Sequence, residues 1–171
     1  MKNRGFTLIE LLIYAAIVGS ISVFTAGFLW NIIWGGVKES SYLEVQQNAR
    51  LSLLKMEREI KKASGIVSPL PGQNGDTLVL EMANPDLNPV IFDTNQGTLR
   101  ISQGSGSPVE ITSDDVRVDN ISFSNLSYPD TPGVISVEMG ISRINPENKN
   151  EYRAQINLET SISLFPGGAA P

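Results

Sequence analysis

The sequence predicts an α+β protein: a long N-terminal helix, membrane-spanning in its first half and amphipathic in its second, packed on an antiparallel β-sheet domain. Three observations predict it. Residues 11–37 contain no charged side chain and no proline. An apolar stripe at helical spacing then continues without a break to Ala63. Beyond residue 64 the pattern changes to short period-two runs punctuated by Gly, Pro, Asn and Asp. The segments that follow are a leader at 1–5, a spanning helix at 6–37, its amphipathic continuation at 38–64, a β domain at 65–165 and a loose tail at 166–171.

The span comes first. At ~1.5 Å per residue, 11–37 makes roughly 40 Å of helix, enough to cross a ~30 Å hydrocarbon core. A lone segment in lipid must satisfy its own backbone hydrogen bonds, which leaves the helix as its only option. Trp30 and Trp34 suit the headgroup region at the far end, and Lys2 and Arg4 suit the cytoplasmic side. A cleavable secretory signal would have a shorter apolar core followed by small residues; here Ala15-Ala16 lies inside the run. Gly19, Gly27, Gly35 and Gly36 fit close helix packing or local softening, and equally the ordinary frequency of glycine in membrane helices.

Glu10 breaks this pattern. An unpaired carboxylate in hydrocarbon costs roughly 3 kcal/mol or more, so an acid at the head of a span calls for a function. A plain membrane anchor gives it none.

From residue 38 the stripe is Tyr42, Val45, Ala49, Leu53, Met56, Ile60 and Ala63. Such a helix needs a surface on which to bury that face, and the β domain supplies one. Glu57 with Lys61, and Lys55 with Glu59, are placed for i,i+4 pairs. Lys61-Lys62 complements the helix dipole, and Gly65 is the expected terminator.

In the β domain, strands are expected at 77–82, 90–93, 98–102, 109–112, 116–126, 134–144 and 152–165. Asn95-Gln96-Gly97 reads as a hairpin turn. Alternation slips at Asp119-Asn120, which predicts a bulge. Gly140 marks a bulge or a close neighbour. Ile135, Val137, Met139 and Ile141 alternate cleanly, as do Ile156, Leu158, Thr160, Ile162 and Leu164, so these last two runs are expected to pair antiparallel at the centre of the sheet.

Composition argues against an enzyme. The chain has neither Cys nor His, which removes thiolate sites, the commonest general base and the commonest transition-metal ligand. Gly104-Ser105-Gly106-Ser107-Pro108 lacks the spacing and lysine of a phosphate loop. Asp114-Asp115 has no further ligands at calcium-loop spacing. No catalytic residue, metal or cofactor is expected. Residues 64–171 carry 5 cations against 13 acids, net −8, while 1–63 carry 8 against 5. Nucleic acid is therefore not an expected partner.

The opening Lys2-Asn3-Arg4-Gly5-Phe6-Thr7-Leu8-Ile9-Glu10-Leu11-Leu12 resembles the class III signal of type IV pilins and type II secretion pseudopilins. The later stretches Val45-Gln46-Gln47-Asn48-Ala49-Arg50 and Arg58-Glu59-Ile60-Lys61-Lys62-Ala63 resemble minor subunits of the pseudopilin J or minor pilin W type. The resemblance implies a pilin-like fold and cleavage by prepilin peptidase between Gly5 and Phe6, followed by N-methylation of Phe6. It implies that Glu10 pairs with the Phe6 ammonium of a neighbouring subunit during assembly. The implied partners are that peptidase, other pilin or pseudopilin subunits, the inner-membrane assembly machinery and membrane lipid. The implied location is a single pass of the cytoplasmic membrane, the β domain outside, with later incorporation into a filament. Many major pilins carry a proline in the membrane half and paired cysteines near the C-terminus. This chain has neither, which favours a minor or pseudopilin-like subunit. A pilus-borne binding module, for adhesion or DNA uptake, and a simple anchored β-domain protein are the alternatives.

Overall fold

The computed structural model describes residues 7–128 and 133–165. Helix α1 runs Leu8–Lys62, one unbroken element of 55 residues. Nine strands follow among the described residues: β1 Ala63–Ser68, β2 Asn74–Gly75, β3 Leu78–Met82, β4 Val90–Asn95, β5 Thr98–Gln103, β6 Val109–Glu110, β7 Val116–Asn125, β8 Val134–Arg143 and β9 Gln155–Ser163. They form two sheets rather than the single one expected. The first has the order β1-β3-β4-β5-β6 and the second β2-β7-β8-β9; every pairing is antiparallel.

The helix stops without its expected glycine. Ala63 takes an extended conformation and its N–H still bonds the Ile60 carbonyl, so the chain turns directly from helix into β1. Gly65 lies inside that strand opposite Glu81, where a Cβ would stand 3.1 Å from the Glu81 carboxylate. The freed Lys61 carbonyl accepts the Phe165 N–H at 3.3 Å, so the returning C-terminal end covers part of what the helix end leaves unpaired. Strand β1 escaped the sequence pattern because Ala63-Ser64-Gly65-Ile66-Val67-Ser68 does not alternate, and its register slips twice along β3.

Two stitches join the sheets. The β1–β3 connection crosses to the second sheet, where Asn74 and Gly75 pair with Ser124 and Phe123. Buried Asn125 locks it there: its side-chain amide donates to the Pro69 carbonyl at 2.7 Å, and its backbone exchanges bonds with Gly72 and Gln73. The second stitch is the β4–β5 hairpin. Gln96 and Gly97 both have positive φ, 52° and 84°, the two-residue turn that suits strand twist. The Gly97 carbonyl then accepts the Val118 N–H at 2.7 Å. A Cβ on Gly97 would press into Arg117. Gly97→Ala is therefore expected to cost about 1–2 kcal/mol for the left-handed backbone, read as a lower urea midpoint with an unchanged slope.

Helix and both sheets share one core. Val45, Ala49, Met56 and Ile60 enter it from α1, Leu80, Phe92 and Leu99 from the first sheet, and Phe123, Val137, Met139 and Ile141 from the second. The predicted stripe is thus the docking face, with Leu53 only partly buried and Tyr42 exposed at its membrane end. The expected bulge falls between Val118 and Asn120. Gly140 has the close neighbours its position suggested, since a Cβ there would collide with the Asn120 side chain and lie 2.9 Å from Asn157.

Strands β8 and β9 pair antiparallel through nine partners, Val134↔Ser163 to Ser142↔Gln155. Only β8 is central, however: β9 is an edge strand. Its inward residues Ile156, Leu158 and Thr160 are half-buried for that reason. Edge regions also explain the other differences. Only 109–110 of the expected 109–112 strand is extended, and 150–152 form a 3-10 turn before β9 begins at Gln155. Glu57 and Lys61 do pair, at 2.5 Å. Glu59 instead faces Arg58 and Lys62, each at 3.9 Å, and not Lys55. The tail at 166–171 lies outside the described residues.

Candidate functional site

The candidate site is α1 itself, beginning at its first turn. Thr7 caps the helix: its hydroxyl oxygen accepts the Glu10 N–H at 3.4 Å, and its carbonyl accepts the Leu11 N–H at 3.2 Å. Thr7-Leu8-Ile9-Glu10 has the spacing of a capping box, a helix-start signal that reading Glu10 only as a membrane anomaly passed over. Glu10 therefore sits where the positive end of the helix dipole favours an anion. No cation among the described residues lies within ion-pair distance of its carboxylate. Gly5 and Phe6, the expected cleavage and methylation positions, lie outside the described residues.

From Thr7 to Ile33 every residue is exposed. The apolar half of the helix projects from the β domain as a bare rod. Its hydroxyls are already satisfied inside the helix. Ser20, Ser22 and Thr25 each donate to the carbonyl four residues back, at 2.8 Å. That arrangement suits lipid, where no water would replace a missing partner. Among the described residues this is the one helix long and apolar enough to cross a membrane.

The exposed face does not end with the span. Leu43, Leu51 and Leu54 are each about half exposed. At 100° per residue they fall on one side of α1, opposite Val45, Ala49, Ser52, Met56 and Ile60. The second half of the helix thus has one apolar face docked on the sheets and, opposite it, three open leucines set among polar residues. The sequence reading found the first and missed the second, because Gln47, Arg50 and Arg58 are interleaved with the open leucines. Spacings of 8 and 3 from Leu43 to Leu51 to Leu54 were the available signal.

Among the described residues no group of three or more Asp or Glu is gathered as a metal site.

A bare apolar helix of membrane length, capped at an acidic first turn and carrying a two-sheet β domain at its other end, defines a membrane-anchored α+β protein. Residues 1–26 match the family described as the prokaryotic N-terminal methylation motif. That match supports a type IV pilin-like protein, and the motif in general implies processing by prepilin peptidase and pilin–pilin assembly. No curated protein and no solved structure matches the chain.

Proposed function

We propose that the chain is a structural, non-enzymatic subunit of a type IV pilus-like or type II secretion filament, in a minor position. In this reading the peptidase cuts between Gly5 and Phe6 and methylates the new amine. The subunit waits in the membrane on its apolar helix, with the β domain outside the cytoplasm. It then enters the filament when that helix repacks against neighbouring copies or relatives. Glu10 meets the Phe6 ammonium of a neighbour, and the counter-charge offsets much of what the carboxylate costs in lipid.

The observation that carries the reading is the two-faced helix. A plain anchor needs neither an acid at its head nor an open leucine face beyond the membrane. A subunit that packs helix to helix uses both. Leu43, Leu51 and Leu54 continue the exposed apolar surface from the span into the region flanked by the β domain.

The first test is the mature N-terminus. Mass spectrometry of the protein from cells with active prepilin peptidase should find a chain beginning at N-methylated Phe6. An intact N-terminus beginning at Met1 in such cells would leave a plain anchored protein as the answer.

A further inference from the structure

The β domain is acidic, yet its positive charge is gathered in one place. Of the five cations in residues 64–171, Arg117, Arg143 and Arg153 line a single open groove of about 650 Å³. Tyr42, Asn145 and Asn148 line it too, and none of its lining residues is acidic. The groove is built by the start of β7, the end of β8 and the loop that leads to β9.

Its position matters as much as its charge. Tyr42 lies five residues past Val37, the last residue of the uncharged run, hence roughly 7–8 Å further along the helix axis. The polar interface adds about 5–7 Å to each face of the hydrocarbon core. The domain also reaches down to this level: Val37 is half-buried and Ser41 buried. The groove therefore lies at the membrane-facing end of the domain, on the outer side of the headgroup layer.

The three arginines are not equivalent. Arg143 is bonded to Glu44 of α1 and lies 5.5 Å from the Tyr152 ring centre, so it fastens the groove to the helix with its charge already matched. Arg153 spends Nε and one terminal nitrogen on a neutral acceptor, Asn148 Oδ1, at 3.3 and 2.7 Å. Arg117 holds Asp119 through a single carboxylate oxygen, at 3.1 and 3.0 Å, with its side chain 62% exposed. The nearby Lys149 is paired with Glu147, whose carboxyl its hydrogen bond holds below the usual range. Charge for a ligand is thus left by Arg153, whose partner is neutral, while Arg117, matched by Asp119, adds exposed donors; both are planar forks, the geometry that suits phosphate oxygens.

We propose that this groove binds the phosphate headgroup of an anionic membrane lipid while the subunit is anchored, with Arg117 and Arg153 as its ligating residues. The inference rests on the helix spanning a membrane, and it is independent of filament assembly.

The test is native mass spectrometry of the full-length protein in mild detergent with equal amounts of phosphatidylglycerol and phosphatidylcholine. Wild type should retain phosphatidylglycerol over phosphatidylcholine by at least about threefold, and the double variant Arg117→Gln/Arg153→Gln should lose that preference. Arg100→Gln, a cation outside the groove, should retain it. Circular dichroism on each variant separates loss of ligand from loss of fold; if the double variant unfolds, Arg153→Gln alone should lower the preference. Lys2 and Arg4 of any unprocessed leader are common to all variants, so a preference unchanged in the folded variants would assign the lipid to them and overturn the proposal. Equal retention of the two lipids by wild type would overturn it. So would an equal loss in Arg100→Gln, which would mean diffuse charge. Displacement of the lipid by millimolar inorganic phosphate would make the groove a free-anion site instead. If wild type shows no lipid preference but the double variant loses self-association, the occupant is an acidic protein face.

Discussion

Glu10→Ala should be cleaved and methylated normally, stay in the membrane, and fall at least tenfold in sheared filaments measured by immunoblotting. The direction follows from opposing effects on one carboxylate. Alone in lipid it costs roughly 3 kcal/mol or more, so its removal makes the resting anchor more stable. In a filament it is proposed to face a neighbour's amine, and removal leaves that cation buried without a partner, a loss of about 3–5 kcal/mol. A substitution that helps the membrane state and harms the assembled one shifts the balance on both sides. Glu10→Gln is the sharper variant. Glutamine serves a capping box as well as glutamate does, so the Thr7-centred helix start survives it. If Glu10 acts only as a capping residue, Gln should assemble like wild type. If it acts as a counter-charge, Gln should fail as Ala does.

Much of this architecture was legible because two periodicities are strong. The stripe from Val45 to Ile60 found its docking face, and alternation in β8 and β9 found their pairing. What escaped was set by contacts distant in sequence. Nothing local in Asn74-Gly75 announces a strand; Ser124 and Phe123 make it one by pairing with it. The tie between the two sheets depends on that crossing and on Asn125 holding Pro69, 56 residues away. The helix end was misplaced because glycine at 65 is a local signal, while Ala63 turns extended to enter the pairing with Met82. At the candidate site, the acid was legible by its cost in lipid. The groove was not: Arg117, Arg143 and Arg153 sit on three segments, and the net charge of −8 concealed their gathering.

A pair of substitutions on one turn of α1 separates folding from assembly. Met56 is fully buried in the shared core, whereas Leu54, two residues earlier, is 51% exposed on the opposite face. Lysine is the useful probe at both, since its helix propensity is close to that of leucine and methionine. Met56→Lys should lose about 3–5 kcal/mol by removing core packing and burying an ammonium, a large share of the ~5–15 kcal/mol that holds an ordinary domain together. Urea unfolding of the full chain in mild detergent, followed by circular dichroism, should show the loss. Leu54→Lys should change stability by no more than about 0.5 kcal/mol, as surface changes usually do, yet it should keep the subunit out of sheared filaments. Such a loss can come only from a partner that the open face meets after folding is complete. If Leu54→Lys entered filaments at the wild-type level, Leu43, Leu51 and Leu54 would be ordinary exposed leucines, and assembly would rest on the span and Glu10 alone.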